Sequence, residues 1–207
     1  MEATLLNQSD NGQIKLREIS LFNWGSFADL HTAHIDPNGT LITGDNGAGK
    51  STLVDGLMAL LMPPSRANFN IAAAQNDKAD RTILSYMRGS YGQEHDGTTT
   101  ATKSKRSQKV VTGLRAYYRQ DNGNDITLIA LFWADNTATS ASDVKRLYLV
   151  ANRDVKLKTV LAEFDEKYDR TFKTWLESQH IKHMTTFDEY QKLYQEVLHL
   201  NNKNAPA

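Results

Sequence analysis

Residues 40–52 read TLITGDNGAGKST, and positions 44–51 of this stretch fit the P-loop pattern G-x-x-x-x-G-K-[ST] without exception. The apolar residues at 40–43 predict a short strand before the motif, and KSTLVDGLMALLM at 50–62 predicts a buried helix after it. A phosphate group needs several donors at short range. Successive backbone N–H groups can supply them where the chain curls around the anion. The stretch therefore predicts a phosphate-binding loop between a strand and a helix.

The positions of the motif have separate expected roles. The three glycines permit unusual backbone angles and leave room for phosphate, and the helix N-terminus adds roughly half a positive charge. Lys50 is expected to reach the β- and γ-phosphates and is the predicted catalytic residue. Ser51 is expected to ligate Mg²⁺ through its hydroxyl, and Thr52 to contact the α-phosphate. The predicted site for ATP and Mg²⁺ comprises Gly44, Asp45, Asn46, Gly47, Ala48, Gly49, Lys50, Ser51 and Thr52.

The segments before the motif predict strands joined by turns. Alternating apolar residues favour a strand over 14–22 with an irregularity near Glu18, and a second strand is expected over 29–35. The sequence DPNG at 36–39 is a strong turn signal. Residues 1–12 are polar and predict a flexible leader ahead of a lobe that spans 13–200 and ends in a tail at 201–207.

The segments after the motif predict a mixture of irregular chain, strands and helices. Residues 65–108 read as irregular, with a helix over 79–88 and a mobile loop over 89–108. A hairpin is expected from 110–120 and 125–134 around the turn DNGN, followed by a strand over 146–151. Apolar spacing predicts a helix from Leu157 to Tyr168. A second helix begins at Thr186, with Glu189 in a capping-box position.

Composition narrows the class of protein. The 207 residues include 24 basic and 24 acidic side chains, so the net charge of zero excludes a globally basic DNA-coating protein but not a local basic patch. The absence of cysteine excludes disulfides, thiolate catalysis and cysteine zinc sites. No stretch approaches the roughly 20 apolar residues of a membrane span. The N-terminus lacks a secretory pattern, so a cytoplasmic location is expected.

Hydrolysis requires a carboxylate beyond the P-loop itself. The apolar run LIALFWAD ends at Asp135 and resembles a Walker B strand, but it is the return arm of a hairpin, and Asn136 follows it where a glutamate would be expected. No LSGGQ-like stretch is present. Three hypotheses remain open: half of a composite ATPase, a self-contained P-loop NTPase or kinase that uses Asp135 or another acid, and a DNA-binding or scaffold module with a vestigial P-loop.

Residues 17–64 resemble the start of the head domain of SMC-like ATPases, most closely the MukB/MksB group and the SMC-like subunit of Wadjet plasmid-defence systems (JetC). The first strand, the turn at Asn23-Trp24-Gly25 and the P-loop carry this likeness, which extends more loosely over about 14–200. The resemblance implies an α/β fold of the P-loop NTPase class, specifically the N-terminal lobe of an ABC/SMC-type head. In such a lobe, a mixed and antiparallel sheet surrounds a buried P-loop helix.

The resemblance also implies partners. In that family a long coiled coil, a hinge and a C-terminal lobe with the signature and Walker B motifs follow this lobe. Two heads sandwich two ATP molecules, and kleisin and KITE subunits complete a DNA-translocating complex. A role in plasmid defence or chromosome organisation follows from the same likeness. The isolated lobe is expected to be inactive, because the Walker B and signature motifs are absent from it.

Several further side chains are candidates for function. Four cationic side chains lie within residues 98–109. They either bind DNA phosphates or belong to a solvated loop without a ligand. Arg66 could reach nucleotide or DNA, and Trp24 could lie near the nucleotide or pack on the sheet. Two histidine pairs are spaced by three residues, but neither has a third ligand in the sequence pattern. The candidate DNA contacts are Arg66, Lys103, Lys105, Arg106 and Lys109, and the histidine pairs are His31/His34 and His180/His183.

Overall fold

The computed structural model describes residues 14–63, 82–96, 99–121 and 123–198. The strands are β1 (Ile14–Trp24), β2 (Phe27–His34), β3 (Ser90–Asp96), β4 (Thr99–Ser104), β5 (Val110–Gln120), β6 (Asp125–Ala134), β7 (Lys145–Ala151) and β8 (Lys182–Met184). The α-helices are α1 (Lys50–Leu61), α2 (Ile83–Arg88), α3 (Leu157–Phe164), α4 (Arg170–Ser178) and α5 (Phe187–Val197).

One six-stranded sheet organises the described chain, in the order β2-β1-β5-β6-β7-β8, and all its neighbouring strands are antiparallel. The register of β1 against β5 shifts between Leu16 and Glu18, which confirms the predicted irregularity. The hairpin of β5 and β6 keeps its register from Val110 opposite Ala134 to Arg119 opposite Asp125. The predicted hairpin and the strand at β7 are therefore confirmed.

Both faces of the sheet are covered, because its central strands carry apolar side chains on alternate sides. On one face, Leu114, Leu128 and Phe132 pack with residues of α1, α2 and α5. On the other face, Ile129, Leu131 and Leu149 pack with residues of α3 and α4. The described chain thus forms three layers with the sheet in the middle, and α1 places the P-loop at one edge of the first face.

The helical segment after β7 is two helices rather than the single helix predicted to Tyr168. The chain leaves α3 through Asp165 and Glu166, whose φ values of 38° and 56° are incompatible with a continuing helix. Asp169 then caps α4 by accepting from the backbone N–H of Phe172. The helix predicted from Thr186 is confirmed as α5, but the Thr186 hydroxyl bonds the Glu189 carboxylate instead of a backbone N–H.

The short strand predicted over 40–43 does not form. Leu41 is 86% exposed and Ile42 is 41% exposed, and no strand of the described chain pairs with them. The P-loop helix is present, but its prediction as buried around most of its circumference is wrong for one side. Val54 and Met58 on that side are 49% and 37% exposed. In both places the described residues provide no layer that would cover the apolar side chains.

The loop predicted over 89–108 is largely a two-stranded ribbon of β3 and β4, joined from Ser90 opposite Ser104 to Asp96 opposite Thr99. The prediction of irregular structure is therefore wrong here, whereas the predicted mobility stays a prediction. The helix expected over 79–88 is confirmed where it can be described, as α2. The leader at 1–12, the tail at 201–207 and Arg66 lie outside the described residues.

Within the described ranges, no helix combines the length and the apolar character that a membrane span requires.

Candidate functional site

The loop at 44–49 has the backbone shape that a phosphate cradle needs. Gly44, Gly47 and Gly49 have φ values of 152°, 87° and 94°, a region that side-chain-bearing residues rarely adopt. The helix α1 starts at Lys50, immediately after Gly49, so its free N–H groups face the loop. A Cβ built on Gly47 would meet nothing within 4 Å. The loop is therefore open to solvent and has room for a ligand.

Lys50 spans this loop. Its Nζ donates to the carbonyl oxygens of Gly44 and Asp45, the latter at 2.9 Å. A phosphate oxygen is a stronger acceptor for an ammonium group than a neutral carbonyl, so these contacts can be exchanged for a triphosphate. Ser51 is exposed in the first turn of α1, where its hydroxyl is accessible to a metal. These residues fit ATP and Mg²⁺: a cation, an anion-binding helix terminus and an oxygen ligand converge on one open loop.

The turn at 23–27 packs directly against the P-loop. A Cβ on Gly49 would lie 2.9 Å from Cζ of Phe27, so the last glycine of the motif is also required for this contact. Trp24 is fully buried, and its indole N–H donates to the carbonyl oxygen of Thr52 at 3.0 Å. The structure favours the interpretation that the Trp24 ring packs in the core. Its indole N–H also holds the first turn of the P-loop helix.

Asp55 is a polar residue of this region that the sequence analysis missed. It lies on α1 with 7% exposure, and the hydroxyl of Tyr86 donates to its carboxylate. Tyr86 also stacks on Trp24, with ring centroids 4.6 Å apart. A lone carboxylate in the apolar run LVDGLMALL was the available signal, because a buried acid needs a hydrogen-bond donor from elsewhere in the fold.

Asp135 lies where a strand ends in a turn. It follows β6, which pairs antiparallel with both β5 and β7. Its carboxylate faces Lys145 at 3.5 Å, and its backbone carbonyl accepts from Arg88. With 57% of its side chain exposed, the acid stands at the rim of the antiparallel sheet rather than at the end of a parallel core strand. The geometry argues against Asp135 as a Walker B residue.

The four cations of residues 98–109 do not form one free patch. Arg106 is half-buried and donates from Nε to the carbonyl oxygen of Met87 at 2.6 Å and from Nη2 to that of Gly25 at 2.9 Å. Burial lowers the pKa of Arg106. Its guanidinium already donates to these backbone carbonyls, and its role as a DNA contact stays a prediction.

The three lysines of this stretch are exposed. Lys109 pairs with Glu166 at 2.9 Å, and this hydrogen bond raises the pKa of Lys109. The ammonium of Lys105 approaches the carbonyl oxygen of Ser26 at 3.3 Å. The lysines are therefore accessible to a phosphate, but Lys105 and Lys109 would exchange the contacts described here to bind one.

The histidine pairs are not arranged as metal sites. His183 bonds the hydroxyl of Tyr168 at 2.9 Å, and burial lowers the pKa of His183. His34 faces Glu18 at 3.5 Å, and His31 bonds the carbonyl oxygen of Ala28. In the part of the chain that the structure describes, no group of three or more histidine, aspartate or glutamate side chains could hold a metal ion.

An apolar groove of about 480 Å³ lies between β1, the turn at 36–39 and α1. It borders the exposed segment at 40–43 and the exposed side of α1. Its apolar lining consists of Leu16, Ile19, Ile35, Ile42, Leu53, Val54 and Leu57. The groove therefore continues the uncovered apolar surface beside the P-loop.

Comparison with known proteins agrees with this geometry. The family described as "P-loop containing region of AAA domain" matches residues 16–76, which contain β1, β2, the loop and α1. The chain has a P-loop NTPase fold. The match covers the phosphate-binding elements and ends before the ribbon.

Two relatives extend the likeness. The chain is 30% identical to the chromosome partition protein MukB of Haemophilus ducreyi over 167 residues, which are 78% of this chain and 10% of that protein. It is 38% identical to the retron Vc95 probable ATPase of Vibrio cholerae serotype O1 biovar El Tor over 52 residues, which are 25% of this chain and 10% of that protein. The matched part thus spans about a tenth of either relative, and the similarity supports an SMC-like P-loop ATPase region.

Proposed function

We propose that this chain binds ATP·Mg²⁺ at Gly44–Thr52 as the nucleotide-binding part of an SMC-like ATPase. The observation that carries the proposal is Lys50, whose ammonium group lies across an open, glycine-shaped loop at the start of α1. The likeness to MukB and to a probable retron ATPase supports ATP as the nucleotide.

Binding would exchange contacts that the loop already makes. The backbone N–H groups around Gly47 and Gly49 would surround the phosphate oxygens, and Lys50 would release its carbonyl partners for the β- and γ-phosphates. The hydroxyl of Ser51 would ligate Mg²⁺. The bound metal would neutralise phosphate charge and orient the triphosphate. Trp24 would hold the first turn of α1 in place through its bond to Thr52.

Hydrolysis, in this proposal, needs groups from outside the described residues. Asp135 is paired with Lys145 at the rim of the antiparallel sheet and is not proposed as the hydrolytic carboxylate. The apolar groove and the exposed Leu41, Ile42, Val54 and Met58 form a surface that a further lobe of the same longer protein would cover. The relatives are about ten times as long as the matched region, which leaves ample chain for such a lobe.

Titration calorimetry with ATP and Mg²⁺ tests the binding site. Lys50→Ala should weaken binding by about 10- to 100-fold, because a charged hydrogen bond contributes about 1.5–3 kcal/mol. Lys158→Ala is the matched control, since this exposed lysine lies on α3 on the other face of the sheet. Equal affinity in the wild type and in Lys50→Ala would refute the P-loop assignment.

Contact with duplex DNA is a finer part of the proposal. One relative is a chromosome partition protein, and the exposed Lys103, Lys105 and Lys109 of this chain lie on and after β4. Replacing all three with alanine should weaken binding to every duplex sequence and flatten the salt dependence by up to about three units, one per phosphate contact. Fluorescence anisotropy at several salt concentrations measures this. An unchanged salt dependence would show that the three lysines form a solvated surface and do not contact DNA.

The remaining finer predictions rest on the resemblance alone. They are a second head, kleisin and KITE partners, a DNA-translocating complex of the Wadjet or chromosome-organising kind, and a cytoplasmic location. Each of them stays a prediction.

A further inference from the structure

Two side-chain hydrogen bonds connect the start of α1 to the core. The indole N–H of Trp24 bonds the carbonyl of Thr52, and the hydroxyl of Tyr86 bonds the carboxylate of Asp55. Trp24 is completely buried, and both Tyr86 and Asp55 are below 9% exposure. Two polar contacts of buried groups therefore meet α1 within about one and a half helical turns of the P-loop lysine.

Gly25 brings the partners of these contacts together. Its backbone has a φ of 56°, and a Cβ there would lie 2.5 Å from Cγ2 of Thr52 and 3.3 Å from the Tyr86 ring. Its N–H donates to the carbonyl of Tyr86 at 2.8 Å. The turn that follows β1 can thus approach α1 and α2 at once only because residue 25 has no side chain.

Arg106 joins the same group from the base of the β3–β4 ribbon. Its guanidinium donates to the carbonyl oxygens of Gly25, Tyr86 and Met87, at 2.9, 3.2 and 2.6 Å. Its own N–H donates to the carbonyl of Arg88 at 3.0 Å. The ribbon base is therefore fixed to the residues that hold α1, although Arg106 itself bonds none of the P-loop.

We infer that Trp24, Gly25, Asp55, Tyr86 and Arg106, here called the Trp24 cluster, position the first turn of the P-loop helix and tie it to the base of the β3–β4 ribbon. The inference rests on the proposed nucleotide site for its consequence in function. Tyr86 and Trp24 act as positioning residues, since their contacts are with α1 and not with the predicted phosphates. The ribbon base and the start of α1 both bond to Tyr86 and to the turn at Trp24-Gly25. Loosening the ribbon base should therefore loosen the start of α1.

Hydrogen exchange of the nucleotide-free chain tests the inference. Tyr86→Phe keeps the ring stacked on Trp24 but removes the hydrogen bond to Asp55. We expect the amides of Leu53–Leu57 to exchange about 10- to 100-fold faster, since a hydrogen bond to a charged group is lost. Tyr190→Phe is the matched control. Its hydroxyl is also buried but has no hydrogen-bond partner among the described residues, so its removal should leave these amides unchanged.

The amides of α4 serve as an internal reference, because this helix packs on the opposite face of the sheet. Equal acceleration in α1 and α4, or no acceleration in α1, would overturn the positioning role. If Tyr86→Phe does not fold, Trp24→Phe replaces it, since that change keeps an aromatic ring and removes the indole donor to Thr52, although it also removes buried ring volume. The same local acceleration in α1 is then expected.

The link to the ribbon is tested with Arg106→Lys, which keeps the charge but loses the planar fork of donors. Faster exchange at Leu53–Leu57 supports the link, and a change confined to residues 86–89 overturns it. These exchange readouts do not depend on nucleotide. If wild type fails to bind ATP while the exchange pattern holds, the proposed function fails and the positioning role stands. If ATP binds to the wild type but exchange in the variants changes uniformly along the chain, the positioning role fails and the proposed function stands.

Discussion

Arg115 is a fully buried cation on β5, with 1% of its side chain exposed. Its Nη1 lies 2.8 Å from Oε2 of Glu18, its Nη2 lies 2.6 Å from Oδ1 of Asp154, and its Nε donates to the carbonyl of Val155. Lys156 bridges the same two carboxylates at 3.1 and 2.9 Å. The four charged side chains connect β1 and β5 with the segment that leads into α3.

We expect Arg115→Met to destabilise the fold by about 3–5 kcal/mol, because it leaves two carboxylates without their buried partner. Urea unfolding measures the change. Arg119→Met is the control: its side chain on the same strand is 55% exposed and lies 3.7 Å from Asp125, so the cost should be about 0–1 kcal/mol. A cost below about 1 kcal/mol for Arg115→Met would contradict the structural role of this network.

Glu18 gives the same network a dependence on pH. Burial acts to raise the pKa of Glu18, but hydrogen bonds and charge from Arg115 and Lys156 outweigh burial, so the pKa lies below its usual value of 4.5. A depressed pKa in the folded state means that the ionised group stabilises the fold above the unfolded-state pKa. This stabilisation is lost as the pH falls through the folded-state pKa.

The stability difference between the wild type and Glu18→Gln should therefore be largest near neutral pH and shrink as the pH is lowered below about 4.5. Denaturant unfolding of both proteins across this range measures it. A difference that stays constant with pH would show that Glu18 does not titrate as part of the network.

At the scale of elements, α1 packs on β1 through Gly56. A Cβ at this position would lie 2.6 Å from Cδ2 of Leu21 and 3.2 Å from Nε1 of Trp24. Both neighbours are completely or almost completely buried, so neither has space to withdraw. The helix therefore depends on a residue of poor helix propensity for its close approach to the sheet.

Gly56→Ala sets two effects against each other. Helix propensity would favour alanine by about 1 kcal/mol, whereas overpacking a core costs about 1–3 kcal/mol. We expect overpacking to win and the variant to be destabilised by about 1 kcal/mol in thermal or urea unfolding. Val54→Ala on the exposed side of the same helix should change stability by less than about 0.5 kcal/mol. A stabilised Gly56→Ala would mean that the two elements can separate at little cost.

At the scale of the whole molecule, the nucleotide loop and the uncovered apolar surface lie side by side. Leu41 and Ile42 precede the loop, Val54 lines the groove, and Met58 is exposed on the same helix. Among the described residues, Asp135 pairs with Lys145 at the rim of the sheet, and the buried Asp55 accepts a hydrogen bond from Tyr86.

We expect the chain by itself to turn over ATP at a rate far below about 1 per second, the lower end of usual enzyme rates. A coupled phosphate-release assay measures this, with Lys50→Ala as the background. A steady rate of about 1 per second that Asp135→Ala abolishes would instead favour a self-contained enzyme.

The sequence by itself determined the local features: the P-loop, the helix after it, the β5–β6 hairpin and the helix from Thr186. Each depends on residues that are neighbours in the chain, such as three glycines before a lysine or a turn between two apolar runs, so their patterns can be read directly. The irregularity at Glu18 also follows from a break in alternation within one strand.

Only the tertiary structure decided features whose partners are distant in the chain. Arg106 and Lys105 look alike in the sequence, but Arg106 is half-buried and donates to the carbonyl of Gly25, 81 positions away, whereas Lys105 is exposed. Arg115 reaches Glu18 across 97 positions. Residues 40–43 have the composition of a strand, yet a strand must pair with a neighbouring strand, and no strand of the described chain pairs with them. Pairing and burial are non-local, so local pattern could not decide them.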